Sequence, residues 1–309
     1  MSDKTRMLLT GAGGFVGQAI KAELGDFEIV GMSRNSGDIV HDLTTAVPKL
    51  QHCEIVVHCA GKAHMIPKTD AEKKAFFDVN VKGTKNLLSG LELSEGLPSS
   101  FVLISSVAVY GVDTGVLITE QEPLNATQAY GLSKKQTEEI TLEWCNKHGV
   151  RCTILRLPLV AGPNPPGNLG SMINAIRKGY YFDIAGGKAK KSIVLARDVA
   201  AIIPRAAKQG GIYNLTDGYH PSFAEIASHI AAELGKSKPL IMPRFIAGFL
   251  AKIGDLVGPS FPLNSRKLQV IGSDLTFDDS KARAILNWDP DTVLSGLKVV
   301  SNNGPSLRT

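Results

Sequence analysis

Two side chains of complementary chemistry, a phenol and an ammonium, stand four residues apart in the chain. Tyr130 and Lys134 enclose the sequence Gly-Leu-Ser, and this spacing places both side chains on one face of a helix. Because a free phenol has a pKa of about 10, only about one in a thousand is ionised at neutral pH. A neighbouring ammonium favours the phenolate, which lets a tyrosine exchange a proton with a substrate hydroxyl or ketone. The pair is a candidate general acid and base, but the same spacing also occurs by chance on solvated helices.

A serine follows the apolar run 101–104, which predicts a buried strand. Ligands of open α/β sheets bind beyond the carboxyl ends of the strands, and Ser106 lies at such an end. We therefore expect Ser106 to hydrogen-bond the reacting oxygen beside Tyr130. Its neighbour Ser105 needs no role beyond capping the strand.

A glycine-rich run, Gly-Ala-Gly-Gly-Phe-Val-Gly at 11–17, lies between a predicted strand at 7–10 and a predicted helix at 15–24. Glycine permits a tight turn and the close approach of backbone amides to a pyrophosphate, and the helix start offers unpaired N–H groups. In this context the run predicts a dinucleotide-binding loop. The residues expected to contact the cofactor here are Gly11, Gly13, Gly14, Phe15, Val16 and Gly17.

The end of the second predicted strand, 27–32, is expected to meet the adenosine ribose. A carboxylate there binds the two ribose hydroxyls of NAD, whereas an arginine accommodates the 2′-phosphate of NADP. The chain has Ser33 and Arg34 at this point, which favours NADP(H), with NAD(H) as the alternative. Asp42, followed by Leu43, is either a partner for the adenine amino group or a residue that caps a turn, and both interpretations stay open.

Short β-rich runs alternate with longer helical patterns through the first half of the chain, which predicts an α/β fold with a parallel sheet. Further strands are predicted at 54–58 and 153–155, and further helices at 71–93 and 130–148. We expect a Rossmann-like, doubly wound parallel sheet in residues 1–160 and a smaller substrate-binding lobe in 161–309. Strands within 192–196 and 212–215 are expected to return to the main sheet.

The composition excludes several classes of protein. With 309 residues, 43% of them hydrophobic and 20% charged, the chain is unlike disordered or coiled-coil sequences. Its formal net charge of +5 suits an anionic ligand but is too small to indicate nucleic acid. The four cysteines and seven histidines lack metal-ligand spacing, so we expect reduced thiols and no metal. Without a signal-like N-terminus or a run of about 18 apolar residues, the chain is expected to be soluble and cytoplasmic.

Taken together, these motifs resemble the extended short-chain dehydrogenase/reductases, within the nucleotide-sugar epimerase/dehydratase group, from residue 7 to about 295. The resemblance implies that Ser106, Tyr130 and Lys134 form the catalytic triad, with Lys134 also holding the nicotinamide ribose. It further rests on the sequences His-Cys-Ala-Gly at 58–61, Val-Asn-Val-Lys-Gly-Thr at 79–84 and Arg-Leu-Pro at 156–158. It places along the cofactor cleft Cys59, Ala60, Gly61, Asn80 and Pro158.

Departures from the family pattern reduce the number of reactions that we expect. Dehydratases of this group carry an Asp-Glu pair directly after the catalytic serine or threonine, where this chain has Val107 and Ala108, so dehydration is disfavoured. The segments 156–163 and 272–275 resemble a bacterial branch that acts at C4 of UDP-N-acetyl-6-deoxyhexoses. We expect reduction of a 4-keto nucleotide (UDP) sugar in polysaccharide precursor synthesis, with a UDP-sugar 4-epimerase holding NAD as the alternative. A non-catalytic NAD(P) redox sensor is a distant alternative, since the complete triad argues against it.

The substrate side is less well defined by the sequence. By resemblance, Lys191 occupies the position of a diphosphate-binding arginine and Asn168 that of a sugar-nucleotide contact. Val107 and Arg266 are further candidates, although a solvated surface position is favoured for each cation. Family members commonly form homodimers through two long helices, here 71–93 and 130–148. The apolar segment 245–253 suits either a membrane surface or a buried helix of the smaller lobe, and the buried helix is favoured.

Overall fold

A computed structural model of the chain describes residues 4–63, 65, 67–184, 186–258 and 263–299. The ends of both expected domains, 1–3 and 300–309, lie outside the described residues. The strands are β1 (Arg6–Thr10), β2 (Glu28–Ser33), β3 (Ile39–Val40), β4 (Ile55–His58), β5 (Ser100–Ser106), β6 (Gly115–Ile118), β7 (Arg151–Leu157), β8 (Leu159–Ala161), β9 (Phe182–Ile184), β10 (Ile193–Leu195), β11 (Gly211–Asn214), β12 (Leu240–Met242) and β13 (Leu275–Phe277).

The α-helices are α1 (Phe15–Glu23), α2 (Asp70–Phe77), α3 (Gly83–Glu92), α4 (Ala129–His148), α5 (Gly167–Lys178), α6 (Ala196–Gln209), α7 (Phe223–Glu233), α8 (Arg244–Val257), α9 (Ser265–Ile271), α10 (Ser280–Leu286) and α11 (Val293–Gly296). A π-helical turn, Asp78–Lys82, joins α2 to α3, and a 3₁₀ turn, Val107–Tyr110, follows β5.

Seven strands form one parallel sheet in the order β11-β7-β5-β4-β1-β2-β3. The order reverses between β1 and β4, which makes the crevice at their carboxyl ends the expected ligand site of a doubly wound sheet. Successive residues of β1 pack on opposite faces, with Met7 and Leu9 in one core cluster and Leu8 in the other. Both faces are covered, as a parallel sheet requires. The predicted α/β, Rossmann-like fold is confirmed.

The strand expected within 192–196 does not join the central sheet. It is β10, which pairs in parallel with β8 as a separate two-stranded sheet. Pro158, which lacks an N–H group, separates β7 from β8 and interrupts the ladder at this point. The chain therefore leaves the central sheet here, and β10 follows β8 rather than β7. The strand expected within 212–215 is β11, at the edge of the central sheet beside β7.

The helix predicted at 71–93 is divided by the π-helical turn. Within that turn the Asn80 carbonyl accepts hydrogen bonds from the hydroxyls of Thr84 (2.6 Å) and Thr137 (2.9 Å). These side-chain donors replace the regular helical pattern locally, and π-turns of this kind often occur at functional sites. A periodicity in sequence cannot reveal such a change, because one extra residue in a turn leaves the apolar pattern nearly intact.

The segment 245–253 lies in α8, and the expectation of a buried helix is wrong. Only its small residues are buried, among them Ala247 and Ala251, which pack in a cluster that includes Leu263. Phe245 and Phe249 are 78% and 67% exposed. Small side chains allow the helix to lie close to the lobe, where Leu250 also packs, while Phe245 and Phe249 lie on the opposite face. No helix in the described part of the chain is long and apolar enough to cross a membrane.

A buried ion pair ties α4 to the sheet. The Arg156 guanidinium, on β7, donates to the Glu138 carboxylate of α4 at 2.7 Å, and both side chains are almost fully buried. The same carboxylate accepts a hydrogen bond from Ser105 at 2.5 Å. Arg156 also donates to the hydroxyl of Tyr110 at 3.0 Å. The charged groups are thus satisfied by one another and by neutral partners, which offsets the cost of removing them from water.

We expect Glu138→Gln to lower the free energy of unfolding by about 3 kcal/mol, since it leaves the Arg156 charge buried without its counter-ion. Urea unfolding followed by circular dichroism measures the change. The neighbouring Glu139, which is exposed, provides the matched control, and Glu139→Gln should change the stability by less than about 0.5 kcal/mol. Equal effects of the two substitutions would contradict a structural role for the pair.

Candidate active site

The glycine loop lies against the carboxyl end of β4. Gly11 has a φ of +69°, and a Cβ added there would lie 2.6 Å from the amide nitrogen of Ala60. A Cβ at Gly17 would collide with the carbonyl oxygen of Gly11. Helix α1 begins after Gly14 with no side-chain cap, so its first N–H groups remain available to an anion. The loop can approach its neighbours this closely because Gly11 and Gly17 have no side chain.

A cavity of about 390 Å³ opens beside this loop, at the point where the strand order reverses. Many of the predicted cofactor contacts line it, namely Gly11, Gly13, Gly14, Ser33, Arg34, Asp42, Leu43, Cys59, Ala60 and Gly61. Other predicted contacts lie outside its lining, namely Phe15, Val16, Gly17, Asn80, Tyr130, Lys134 and Pro158. Lining residues that the sequence did not single out are Thr10, Met32, Asn35, Ser36, His41, Thr44, Lys62 and Val79. The glycine cradle and the adjoining cavity fit a dinucleotide.

Beyond the end of β2 the described lining of the cavity includes Arg34, and the last two residues of that strand, Met32 and Ser33, carry no carboxylate. Arg34 is exposed, and the hydroxyl of Ser33 is engaged with Ser36 within the same loop. The amide of Thr44 donates to the Asp42 carboxylate at 2.8 Å. Hydrogen bonds from Thr44, and then the charge of Arg34, lower the pKa of Asp42. The capping role expected for Asp42 is present, and its contact with adenine stays a prediction.

A chain of hydrogen bonds fixes the buried His58 as a neutral imidazole. The Thr84 hydroxyl donates to the Asn80 carbonyl, so it accepts from His58 Nε2 at 2.8 Å. His58 Nδ1 then accepts from the Thr10 hydroxyl at 2.6 Å, and Thr10 in turn accepts from the Ala60 amide. Burial lowers the pKa of His58 to about 3. These hydrogen bonds connect the ends of β1 and β4, beside the cavity, to the π-helical turn.

Asn80 connects the cavity wall to α4. Its side-chain oxygen accepts from the Lys62 amide at 2.7 Å, and its side-chain nitrogen donates to the Lys62 carbonyl and to the Ser133 hydroxyl. Asn80 is buried and has no exposed face toward the cavity. Its observed part is therefore to hold Lys62 and the start of α4 in register, while the cofactor contact implied by resemblance is not seen in the cavity lining.

The three residues of the candidate triad converge from two elements. Ser106 ends β5, and its hydroxyl accepts from the Ala108 amide at 3.2 Å. Burial raises the pKa of Tyr130, and a hydrogen bond with the Ser106 side chain opposes that rise. The ammonium of Lys134 donates to the Ile104 carbonyl at 2.7 Å. The ammonium is thus directed at a backbone carbonyl, and the expected lowering of the phenol pKa by Lys134 stays a prediction.

Lys134 links the triad to the cavity. Burial lowers its pKa to about 8, while the charges of Glu138 and Cys59 act in the opposite direction. Burial also raises the pKa of Cys59, a lining residue, to about 12, with the Lys134 charge opposing. Tyr130, Lys134 and Glu138 follow one another at intervals of four on α4, so a single helix face presents a proton donor, a cation and the anchor to the sheet.

Comparison with known proteins now decides the family. The model of the NAD dependent epimerase/dehydratase family matches residues 7–216. The chain belongs to this family. A UDP-glucose 4-epimerase of Vibrio cholerae is 28% identical, covering 94% of this chain and 93% of that protein. The N-acetyl-alpha-D-glucosaminyl-diphospho-ditrans,octacis-undecaprenol 4-epimerase of Escherichia coli O157:H7 is 24% identical, covering 94% and 92%.

Among solved structures, UDP-glucose 4-epimerase from Thermotoga maritima has the same fold, with a TM-score of 0.74 at 19% identity. The match covers 95% of this chain and 96% of that chain. The resemblance expected from the motifs is confirmed, and the chain is an NAD(P)-dependent enzyme of the epimerase/dehydratase family.

The two predicted substrate-side cations of this family member, Lys191 and Arg266, differ in their exposure. Lys191 donates to the carbonyls of Val270 (3.1 Å) and Ser273 (2.8 Å), and burial lowers its pKa. Because its ammonium is half-buried and bonded, the favoured solvated position is wrong for Lys191. Arg266 is exposed, as expected, and forms an ion pair with Asp113 at 3.0 Å. Arg266, Asp113, Val270 and Ser273 also line a second cavity of about 290 Å³.

The remaining predicted substrate contacts lie apart from this second cavity. Asn168 is exposed near the start of α5, while Asn164 and Gly170 on either side of it line a third cavity of about 240 Å³. Val107 is half-buried and packs against a cluster that contains Tyr110 and Phe277. The structure thus places Val107 beside Ser106 but does not bring Asn168 and Lys191 into one cavity.

The buried ammonium of Lys134 predicts a stability that rises with pH. Its pKa is about 8 in the folded chain against an ordinary value of 10.5, so the unfolded chain binds more protons between these two values. Stability rises with pH wherever the unfolded state binds more protons. Between pH 7 and pH 10 we expect the wild type to gain on the order of 2 kcal/mol relative to Lys134→Met.

Urea unfolding at a series of pH values measures this difference, with the less buried neighbour Lys135 as the matched control. Lys135→Met should show no comparable dependence on pH relative to the wild type. A constant offset between the wild type and Lys134→Met over this range would contradict a buried, destabilised ammonium.

Proposed function

We propose that the protein is a 4-epimerase of a UDP-linked sugar that retains NAD between turnovers. The observation that carries this proposal is the grouping of Ser106, Tyr130 and Lys134 beside the dinucleotide-sized cavity. The relatives named above, which are 4-epimerases, favour it over the 4-keto reduction expected from the sequence. Epimerisation and reduction use the same proton chemistry at C4, so the triad alone suits both.

In this proposal the residues of the triad carry out the proton transfer at C4. Bound NAD supplies a hydride acceptor and donor. Tyr130 removes the proton of the C4 hydroxyl and later returns it, while Ser106 hydrogen-bonds the same oxygen. Because burial keeps the phenol protonated, its ionisation requires support from the ammonium of Lys134 on the same helix face. The cofactor itself would be held by the Gly11 turn, the start of α1, and the walls at Arg34 and Cys59.

Loss of water from the sugar is disfavoured by the turn that follows Ser106. Val107 and Ala108 begin this turn and carry no titratable group. An elimination needs an acid and a base at the reacting carbons, and these two positions supply neither. The exchange of hydride and proton at one carbon needs only the triad.

The C-terminal half, 161–309, supplies the substrate lobe in this proposal. The second cavity, with Arg266 on its wall and the Lys191 ammonium bonded to two of its lining residues, is our candidate for part of the diphosphate and sugar site. Lysine offers a charge without the bidentate fork of arginine, and two of its three donors are already engaged with carbonyls. Assembly as a homodimer through 71–93 and 130–148 stays a prediction.

A second candidate, NADPH-dependent reduction of a 4-keto sugar, is favoured by one observation. Arg34 lines the ribose end of the cavity, and the end of β2 has Ser33 where NAD-binding relatives of this fold have a carboxylate. A reductase consumes its cofactor, whereas an epimerase regenerates it at every turnover. The two candidates therefore differ in whether added nicotinamide nucleotide is required.

The purified protein should convert UDP-glucose or UDP-N-acetylglucosamine to the C4 epimer without added nucleotide, and denaturation should release stoichiometric NAD. Tyr130→Phe should retain the bound nucleotide but lose about 10²- to 10⁴-fold in turnover. Proton NMR of the sugar and chromatography of the released nucleotide provide the measurements. Tyr180→Phe, at an exposed tyrosine, is the control and should be unaffected.

Two outcomes would overturn this assignment. Conversion of a 4-keto sugar that depends on added NADPH, with no epimerisation, would replace it by the reductase. Wild-type turnover by Tyr130→Phe would remove the proposed proton transfer from both candidates.

Arg34→Ala tests the choice of cofactor separately. A charge-assisted hydrogen bond to a 2′-phosphate is worth about 1.5–3 kcal/mol, so its loss should weaken NADPH binding by about tenfold or more. Binding of NADH should change little, and calorimetry of both nucleotides measures the contrast. Arg244→Ala, at an exposed arginine on α8, is the control. Equal weakening of NADH and NADPH would show that Arg34 does not read the 2′ position.

A further inference from the structure

Helix α8 is oriented with its small residues and Leu250 inward and with other large apolar residues outward. Ala247, Ala251 and Gly254 are buried against the lobe. On the opposite face, Phe245 and Phe249 are 78% and 67% exposed, and Leu256 is 89% exposed. Intervals of four and then seven residues place these three side chains in one stripe along the helix. An amphipathic helix that only stabilises a core shows the reverse arrangement.

The strand that precedes the helix also carries exposed apolar residues. Leu240 and Ile241 of β12 are 71% and 66% exposed, and Leu240 pairs with Phe182 of β9, which is 44% exposed. We call the stripe formed by Phe245, Phe249 and Leu256 the α8 face. An apolar surface of this kind on a single chain indicates an interaction site.

Basic side chains surround the α8 face. Lys236 and Lys238 precede β12, and Arg244 begins α8. Lys252 is seven residues after Phe245 and four before Leu256, so it lies on the same side of the helix. All four are exposed, and none takes part in an ion pair found among the described residues. Asp255, the acidic residue of α8, is occupied by hydrogen bonds from the amide and the hydroxyl of Ser265.

We propose that the α8 face binds the surface of an anionic lipid bilayer. The helix is about 21 Å long and cannot span a membrane, so it lies in the plane of the interface. Its phenylalanine rings enter the boundary between headgroups and acyl chains, and the surrounding basic groups contact anionic headgroups. A symmetric contact with a second copy would bring Arg244 and Lys252 of the two chains together, and this repulsion favours the bilayer over self-association.

Flotation of the full chain with lipid vesicles tests the proposal. The protein should bind vesicles of equal parts phosphatidylglycerol and phosphatidylcholine, and should bind phosphatidylcholine alone much more weakly. The double variant Phe245→Ser with Phe249→Ser should weaken binding by at least about tenfold, because it removes the apolar anchor. Lys252→Gln should weaken binding by about fivefold and reduce its dependence on salt.

Leu93→Ser provides the matched control, since Leu93 is 80% exposed but lies on the other lobe, at the end of α3. This variant should float like the wild type. Thermal unfolding of the Phe245 and Phe249 variant should be unchanged because both rings are exposed in the folded chain. Its turnover on water-soluble UDP-sugars should also be unchanged, which separates this proposal from the proposed function.

Three results would overturn the proposal. The first is failure of the wild type to float with anionic vesicles at low salt. The second is unchanged binding by the Phe245 and Phe249 variant. The third is a fall in mass from dimer to monomer for that variant in light scattering, which would assign the α8 face to a contact between copies of the chain.

Discussion

The buried ion pair between Glu138 and Arg156 is the interaction on which the geometry of the active site depends. Its carboxylate lies on the helix that carries Tyr130 and Lys134, and its guanidinium lies on β7. Ser105, one residue before Ser106, donates to the same carboxylate. One contact therefore fixes both elements of the triad relative to each other. An apolar contact of equal area would allow α4 to slide, whereas hydrogen bonds to a carboxylate specify position and rotation.

A second constraint positions the cofactor cavity relative to this anchor. The close approach of Gly11 to Ala60 brings the glycine loop onto β4. From Ala60 the hydrogen bonds run through Thr10 and His58 to the π-helical turn, and Asn80 then bonds Ser133 of α4. Every donor in this series of hydrogen bonds has an acceptor, and a buried polar network needs such pairing to be rigid. The neutral state of His58 follows from burial, so the network does not change its charge near neutral pH.

What the sequence could predict depended on whether the signal was local. The glycine run and the interval of four between Tyr130 and Lys134 are local, and they led to the fold class, the family and the candidate triad. The pairing of β10 with β8 is not local, because it depends on where the ladder is interrupted at Pro158. The partners of Arg156 also lay far apart in the chain. Glu138 was nonetheless within reach of sequence reasoning, since it stands four residues after Lys134 on the same helix face.

The orientation of α8 escaped prediction for a different physical reason. The segment carries apolar residues on most sides of the helix, and their number suggests burial of the whole helix. Residue size supplied the missing information: Ala247, Ala251 and Gly254 form one narrow face, and Phe245 and Phe249 lie across from it. Close approach of a helix to its lobe favours small side chains on the contact surface, just as it does between helices in membranes.

The ammonium of Lys134 is positioned by both constraints, the ion pair of α4 and the hydrogen bonds beside the cavity. Burial of Lys134 is unfavourable, as its lowered pKa records, and its ammonium bonds a backbone carbonyl rather than a carboxylate. The anchored helix and the braced cavity hold the residue where its ammonium donates to the Ile104 carbonyl. A charge held in this way is already desolvated and oriented before any ligand arrives. Such preorganisation is what allows an ammonium to act strongly on a phenol or a ribose that comes within reach of it.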